Sequence, residues 1–155
     1  MKKKLYIAIL LFFCISLTSC TNLTTYQEKK PNNFYYTDLL DKDIKLNNNY
    51  EVLLLDTNFF KKVTLDKAER DLIKNSVLSL HSENFINNPK NLSNKPPYKL
   101  YFNFKNKSYV VEVYNEKYLS IYPWDGNYPR DYINMESLPI SYNLFQFCKS
   151  IIPRD

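Results

Sequence analysis

The sequence is poor in the residues that most often carry chemistry. It holds one glycine, Gly126, and one histidine, His81. Phosphate-cradling loops need several glycines so that backbone N–H groups can close on the ligand, and a single one does not build them. Metal sites want histidine, cysteine or carboxylate clusters at ligand spacing, and neither CxxC nor HxxxH occurs. A nucleophile triad would need His81 as base for a serine or for Cys148. His81 stands at the expected end of a helix, where a dipole or capping role is commoner. Cys148 falls on an apolar stripe as a small buried hydrophobe. No catalytic residue, metal or cofactor is therefore expected.

A charge of one sign is also missing. The formal charge of +5 includes three lysines at the very start, Lys2, Lys3 and Lys4, and without residues 1–19 it falls to +2. That balance gives no footprint for nucleic acid. Asn, Lys, Tyr, Ile and Phe are abundant and alanine is scarce, the bias of an AT-rich coding sequence, so individual Asn and Lys residues are not read as functional. The sequons at Asn22, Asn91 and Asn106 are set aside for the same reason.

The basic start leads into an apolar run from Leu5 to Leu17, interrupted by Cys14 and Ser16. A helix of that length rises roughly 20 Å, short of the ~30 Å hydrocarbon core, which is the length of a signal-peptide core and not of a permanent span. The run closes with Leu17-Thr18-Ser19-Cys20: an aliphatic residue, two small residues and a cysteine. This resembles the lipobox of bacterial lipoproteins. The resemblance implies a diacylglycerol thioether on Cys20, cleavage after Ser19 and residence at the outer face of the cell membrane. Two or three acyl chains such as palmitate anchor durably, because each buried CH₂ contributes about 0.8 kcal/mol and one chain alone is marginal. With Cys14 in the leader and Cys20 acylated, Cys148 has no partner for an intramolecular disulfide.

Residues 1–19 thus read as signal peptide and 20–49 as the lipidated cysteine with a polar, flexible tether. A single domain occupies 50–155. Phe34-Tyr35-Tyr36 and Leu39-Leu40 interrupt the tether's polarity, which leaves the domain start open between Phe34 and Tyr50. Tyr50–Asp56 reads as a buried strand, with Asn58–Val63 extending or partnering it. Asp66 and Glu69 form a capping-box start for a helix over 66–80, whose stripe is Leu65, Leu72, Ile73, Val77 and Leu80. A loop over 83–97 precedes the clearest pattern in the chain. Tyr98, Leu100, Phe102 and Phe104 alternate with polar neighbours, and short polar turns lead to Tyr109–Val113 and Tyr118–Tyr122. Three such strands predict an antiparallel meander. Residues 123–131 read as a loop, Tyr132–Met135 as a short strand, and 139–151 as a helix ended by Pro153. The expected class is α+β, with the meander packed on two helices.

For function, two classes compete. Glu112, Glu116, Asp125 and Asp131 offer carboxylates for an envelope hydrolase, although nothing in the sequence fixes their separation. Asp125, Asn127 and Asp131 lack the order of acids and glycine of a calcium-binding EF-hand loop. The other class is a non-enzymatic binding or accessory module with an aromatic surface. Tyr101, Tyr114, Tyr118, Tyr122, Trp124 and Tyr128 would line one patch, with Asp125, Arg130 and Asp131 at its polar rim. The candidate binding set is Trp124, Asp125, Tyr128, Arg130 and Asp131, and the expected partner besides the membrane is an envelope protein or glycan. The competing reading is that the tether or helices cover these rings.

The helix, then Lys-Pro-Pro-Tyr-Lys-Leu-Tyr-Phe at 95–102, the meander and Tyr-Pro-Trp-Asp-Gly-Asn-Tyr at 122–128 together resemble small uncharacterised lipoproteins of low-GC Gram-positive bacteria. The similarity covers Tyr50–Ile152 and implies a membrane-anchored extracytoplasmic domain without assigning an activity.

The leader generates a direct test. Cys20→Ala should abolish acyl labelling and block cleavage, so that only precursor accumulates. A mature-sized, membrane-held protein in that variant would refute lipidation at Cys20.

Overall fold

A computed structural model describes residues 30–153 other than Asn127, so the leader and Cys20 lie outside the described residues. Seven strands form one sheet: β1 (Glu51–Asp56), β2 (Lys62–Thr64), β3 (Phe85–Ile86), β4 (Tyr98–Asn103), β5 (Ser108–Val113), β6 (Tyr118–Pro123) and β7 (Asp131–Asn134). Their spatial order is β2-β1-β4-β5-β6-β7-β3, and every neighbouring pair is antiparallel. The α+β class and the meander expected from alternation are those observed, extended by β7 on one side and β1 on the other.

With so little glycine, side chains do the work at the turns. Between β5 and β6, Asn115 Oδ1 accepts from the backbone N–H groups of Lys117 and Tyr118, both at 2.9 Å. After β1, Asp56 Oδ1 accepts from Asn58 N–H at 2.7 Å and Phe59 N–H at 3.0 Å. These are Asx turns, which replace part of the freedom that glycine would supply. The left-handed positions fall on Phe60 (φ 55°) and Asn91 (φ 68°). Asparagine tolerates that region, whereas phenylalanine carries a cost there.

Among the described residues three α-helices cover one face. In α1 (Tyr35–Leu46), Tyr36, Leu40 and Ile44 are spaced by four residues and all are buried. Residues 35–46 read from sequence as the later part of the tether, but they belong to the core, and the folded unit begins before Tyr50. The stripe is only three residues long and lies in a polar stretch, so its burial depends on the sheet beneath it. In α2 (Lys67–Leu78) the capping box is present, with Glu69 N–H to Asp66 Oδ1 and Asp66 N–H to Glu69 Oε2 both at 2.8 Å. Ile73 and Val77 face inward, but Leu72 is half exposed, because the buried face is narrower than its apolar stripe. In α3 (Leu144–Ile151), shorter than the helix expected over 139–151, Asn143 caps the N-terminus and Leu144 and Cys148 are buried. A 3₁₀ turn at Ile140–Tyr142 takes the place of its first turn.

The core lies between these helices and one side of the sheet, where Val52, Leu54, Leu100, Phe102, Val111, Val113, Leu119, Ile121 and Ile133 alternate inward. Among the described residues no helix covers the other side. One connection does reach it. The chain leaves β3 at one edge and must regain β4, four strand spacings or about 19 Å away. Residues 87–97 make this crossing over the uncovered face, and Thr57 N–H to Pro97 O at 3.0 Å ties down its far end.

Leu40 is fully buried in α1. Leu40→Ala should therefore lower stability in urea by about 2–5 kcal/mol. An unchanged midpoint would mean that residues 35–46 are a tether after all.

Candidate functional site

Along β5 the residues facing away from the helices are Ser108, Val110 and Glu112, with Tyr114 just beyond. A glutamate in the middle strand of a sheet needs partners, and neighbouring strands bring them. Register places Lys99 of β4 on one side of Glu112 and Ser120 of β6 on the other. Glu112 Oε1 accepts from Lys99 Nζ at 2.7 Å and from the Tyr122 hydroxyl at 2.8 Å. Its Oε2 accepts from the Tyr114 hydroxyl at 2.8 Å, and Arg130 Nε lies 3.2 Å away. That last contact lacks hydrogen-bond alignment, so it acts as an ion pair.

Glu112 is 3% exposed. Burial works against its charge, but the hydrogen bonds from Lys99, Tyr114 and Tyr122 and the charge of Arg130 outweigh it, holding the acid below its ordinary range. Burial also pushes both tyrosine hydroxyls up, so they remain donors. Arg130 is held a second way: its guanidinium carbon sits 4.6 Å from the centre of the Tyr122 ring.

The crossing segment encloses space above this cluster. The cavity is about 560 Å³, and its lining includes Asn88, Asn91, Asn94, Tyr114, Arg130 and Tyr132. A second hollow of about 360 Å³ opens farther along the same face, lined by Leu53, Leu55, Lys62, Tyr101, Ser108 and Trp124. Ser108 borders one hollow and Glu112 the other. Val110, buried at 2% yet outside the main core cluster, separates them on β5 beside its cross-strand neighbours Tyr101 and Tyr122.

The residues singled out from sequence separate here. Trp124 is 63% exposed and stands in the apolar hollow with Tyr101. Asp125 is exposed in the turn after it, and Arg130 enters the polar cavity. Gly126 sits where a Cβ would meet the Tyr128 ring at 2.7 Å, so a larger residue there would push that ring aside. Tyr128 packs edge-on against Tyr36 of α1, 5.7 Å between centres. Asp131 lies on the helix-covered side, fully buried. It accepts from Lys30 Nζ at 2.7 Å, Thr37 N–H at 2.8 Å and Thr37 Oγ1 at 3.0 Å. Burial still raises its carboxyl above the ordinary range. Asp131 therefore fastens α1 to β7 and is not part of the rim.

The four carboxylates do not converge. Glu116 is exposed and accepts from Gln146, Asp125 is exposed, and Asp131 is on the opposite side from Glu112. Among the described residues no group of three histidine, cysteine or acidic side chains is arranged for a metal. Sequence reasoning missed Lys99, Tyr132 and the crossing asparagines as site residues. Lys99 and Glu112 at outward strand positions were the available signal, but their pairing needs the register.

Folded with its acid below the ordinary value, Glu112 adds stability above the unfolded pKa of about 4.3, lost as pH falls through the folded value. Glu112→Gln should cost about 3 kcal/mol at pH 7, the low end for a broken buried pair because Lys99 and Arg130 are partly exposed. The gap should narrow below pH 4.5, as the native acid protonates. Chemical denaturation across pH 3–7 measures it, and a gap independent of pH would contradict the ionised cluster.

No curated protein matches the chain. Among solved structures, the crystal structure of a proposed lipoprotein from Clostridium perfringens is similar, with 31% identity and a TM-score of 0.73. The alignment covers 81% of this chain and 99% of that one. A family profile also matches residues 30–148, from the lysine that grips Asp131 to the buried cysteine of α3. The chain belongs to the family described as a domain of unknown function, DUF4883.

Proposed function

We propose that this chain is a lipid-anchored, extracytoplasmic binding module, without enzymatic activity, that receives an envelope ligand on the sheet face opposite the described helices. The observation that carries this reading is the construction of that face. Two hollows lie side by side along β5, one aromatic around Trp124 and Tyr101, the other polar around Arg130. Exposed aromatics beside fixed polar groups are the composition of binding surfaces, where rings supply contact area at low entropic cost and polar groups fix orientation. The location rests on Lys2–Lys4, the apolar run and Leu17-Thr18-Ser19-Cys20, together with the similarity to a proposed lipoprotein. Anchoring through Cys20 would place the face near other envelope components, so a weak ligand contact gains from high local concentration.

A carboxylate-pair hydrolysis gains no support from this face. Of the residues lining its two hollows Glu112 is the acid, and its oxygens are committed to Lys99, Tyr122 and Tyr114. A general acid must hold a proton near the working pH, whereas this group is held below the ordinary carboxylate range.

The test is retention of the detergent-solubilised full chain on isolated envelopes. The double variant Trp124→Ala, Tyr101→Ala should bind about fivefold more weakly, the loss of about 1 kcal/mol expected of contact aromatics. Trp124→Ala alone should shift stability by no more than about 0.5 kcal/mol, as for a surface side chain. Equal retention of the double variant and the native protein would remove the aromatic hollow from the binding surface.

A further inference from the structure

The polar cavity says more about its ligand than the aromatic hollow does. Arg130 is immobilised by the Tyr122 ring and by Glu112, yet its side chain is 38% exposed and lines the cavity. Among the described residues, no carboxylate or carbonyl accepts a hydrogen bond from its outer Nη groups. Glu112 cannot serve a ligand, because Lys99 and Tyr122 occupy one oxygen and Tyr114 the other. The two cations around this single acid leave a local surplus of one positive charge. A guanidinium held by the ring and hydroxyl of Tyr122 and by the charge of Glu112, with no carboxylate of a described residue hydrogen-bonded to its outer groups, is suited to a ligand oxyanion.

Lys90 of the crossing segment adds a second cation to the lining, and most of what remains is uncharged and polar. Asn88, Asn91 and Asn94 on the crossing segment and Tyr132 on β7 border the same space. None of their side chains hydrogen-bonds to another described residue. Amides and a phenol, each able to donate and accept, match hydroxyl and acetamido groups better than they match apolar matter. A volume near 560 Å³ is within the range of small-ligand sites.

Resting on the reading of this face as a binding face, we propose that the Arg130 cavity binds an acidic saccharide. Arg130 takes the carboxylate, while Asn88, Asn91, Asn94 and Tyr132 take the neutral ring substituents. Glu112 is a positioning residue: it orients Arg130 and does not touch the ligand.

The experiment titrates the detergent-solubilised, ¹⁵N-labelled full chain with N-acetylmuramic acid, with N-acetylglucosamine, which lacks the lactyl carboxylate, and with inorganic phosphate. N-acetylmuramic acid should shift the amide signals of Asn88–Asn94, Arg130 and Tyr132, and bind at least tenfold more tightly than either other probe. Arg130→Gln should abolish that preference. Arg130→Lys, which keeps the charge and loses the planar fork, should reduce it. The comparison of the three probes on the native protein needs no variant, so a poorly folded Arg130→Gln leaves the test intact. Equal binding of the two sugars would overturn the carboxylate role, and phosphate binding as tightly would overturn the saccharide role. Retention on envelopes without a response to either sugar would overturn this assignment while leaving the broader binding reading in place. Failure of retention together with no response would sink both.

Discussion

A single buried carboxylate organises the uncovered face. Glu112 brings together side chains from β4, β5, β6 and the loop before β7, drawing Lys99, Tyr114, Tyr122 and Arg130 to one point. An ion taken out of water is tolerated only with its lone pairs satisfied, so these four partners are a condition of its being there. The arrangement also explains the tyrosines. Their rings cover sheet surface that no described helix shields, and their hydroxyls supply the donors. What resembles a solvent-facing sheet is therefore a second, small polar core, and Arg130 is the part of it that reaches outward.

The cavity over that cluster follows from connectivity. A two-residue β3 at the far edge obliges the chain to travel back over β7, β6 and β5 before β4 can begin. Backbone that crosses a sheet face without pairing must satisfy itself with turns and water, which suits the Asn- and Pro-rich composition of 87–97. A left-handed residue is needed within it, and Asn91 fills that place. The opposite face has the reverse economy, with apolar residues from three helices and a clasp at Asp131 that holds α1 against the sheet.

Much of the framework was legible in the residues. Strict alternation over 98–104 and 109–113 with polar turns left few alternatives to a meander, and Asp66 with Glu69 marked the start of α2 within a residue. α1 was not legible as core, because Tyr36, Leu40 and Ile44 form a stripe too short to stand out among Asp, Lys and Thr. Its burial is a tertiary outcome. At the site, Trp124 and Arg130 were visible as unusual residues in a loop. Asp131 looked like their companion, but odd and even positions in β7 face opposite sides, and it falls with Ile133 on the helix side. The partners of Glu112 depend on strand register, and the asparagines depend on a crossing that a two-residue strand dictates. Neither leaves a periodic trace.

The clasp between Asp131 and the start of α1 has a bearing on how the chain acquires its shape. Thr37 and Asp131 are 94 positions apart, and Lys30 and Asp131 are 101. The chain emerges N-terminus first, so Tyr36, Leu40 and Ile44 appear ahead of the sheet and lack their final surroundings until β6 and β7 follow. Contacts of such long separation carry a loop-closure cost and slow the search. During that interval an apolar stripe stands open to other chains. The polarity that hid α1 in the sequence keeps the waiting segment soluble.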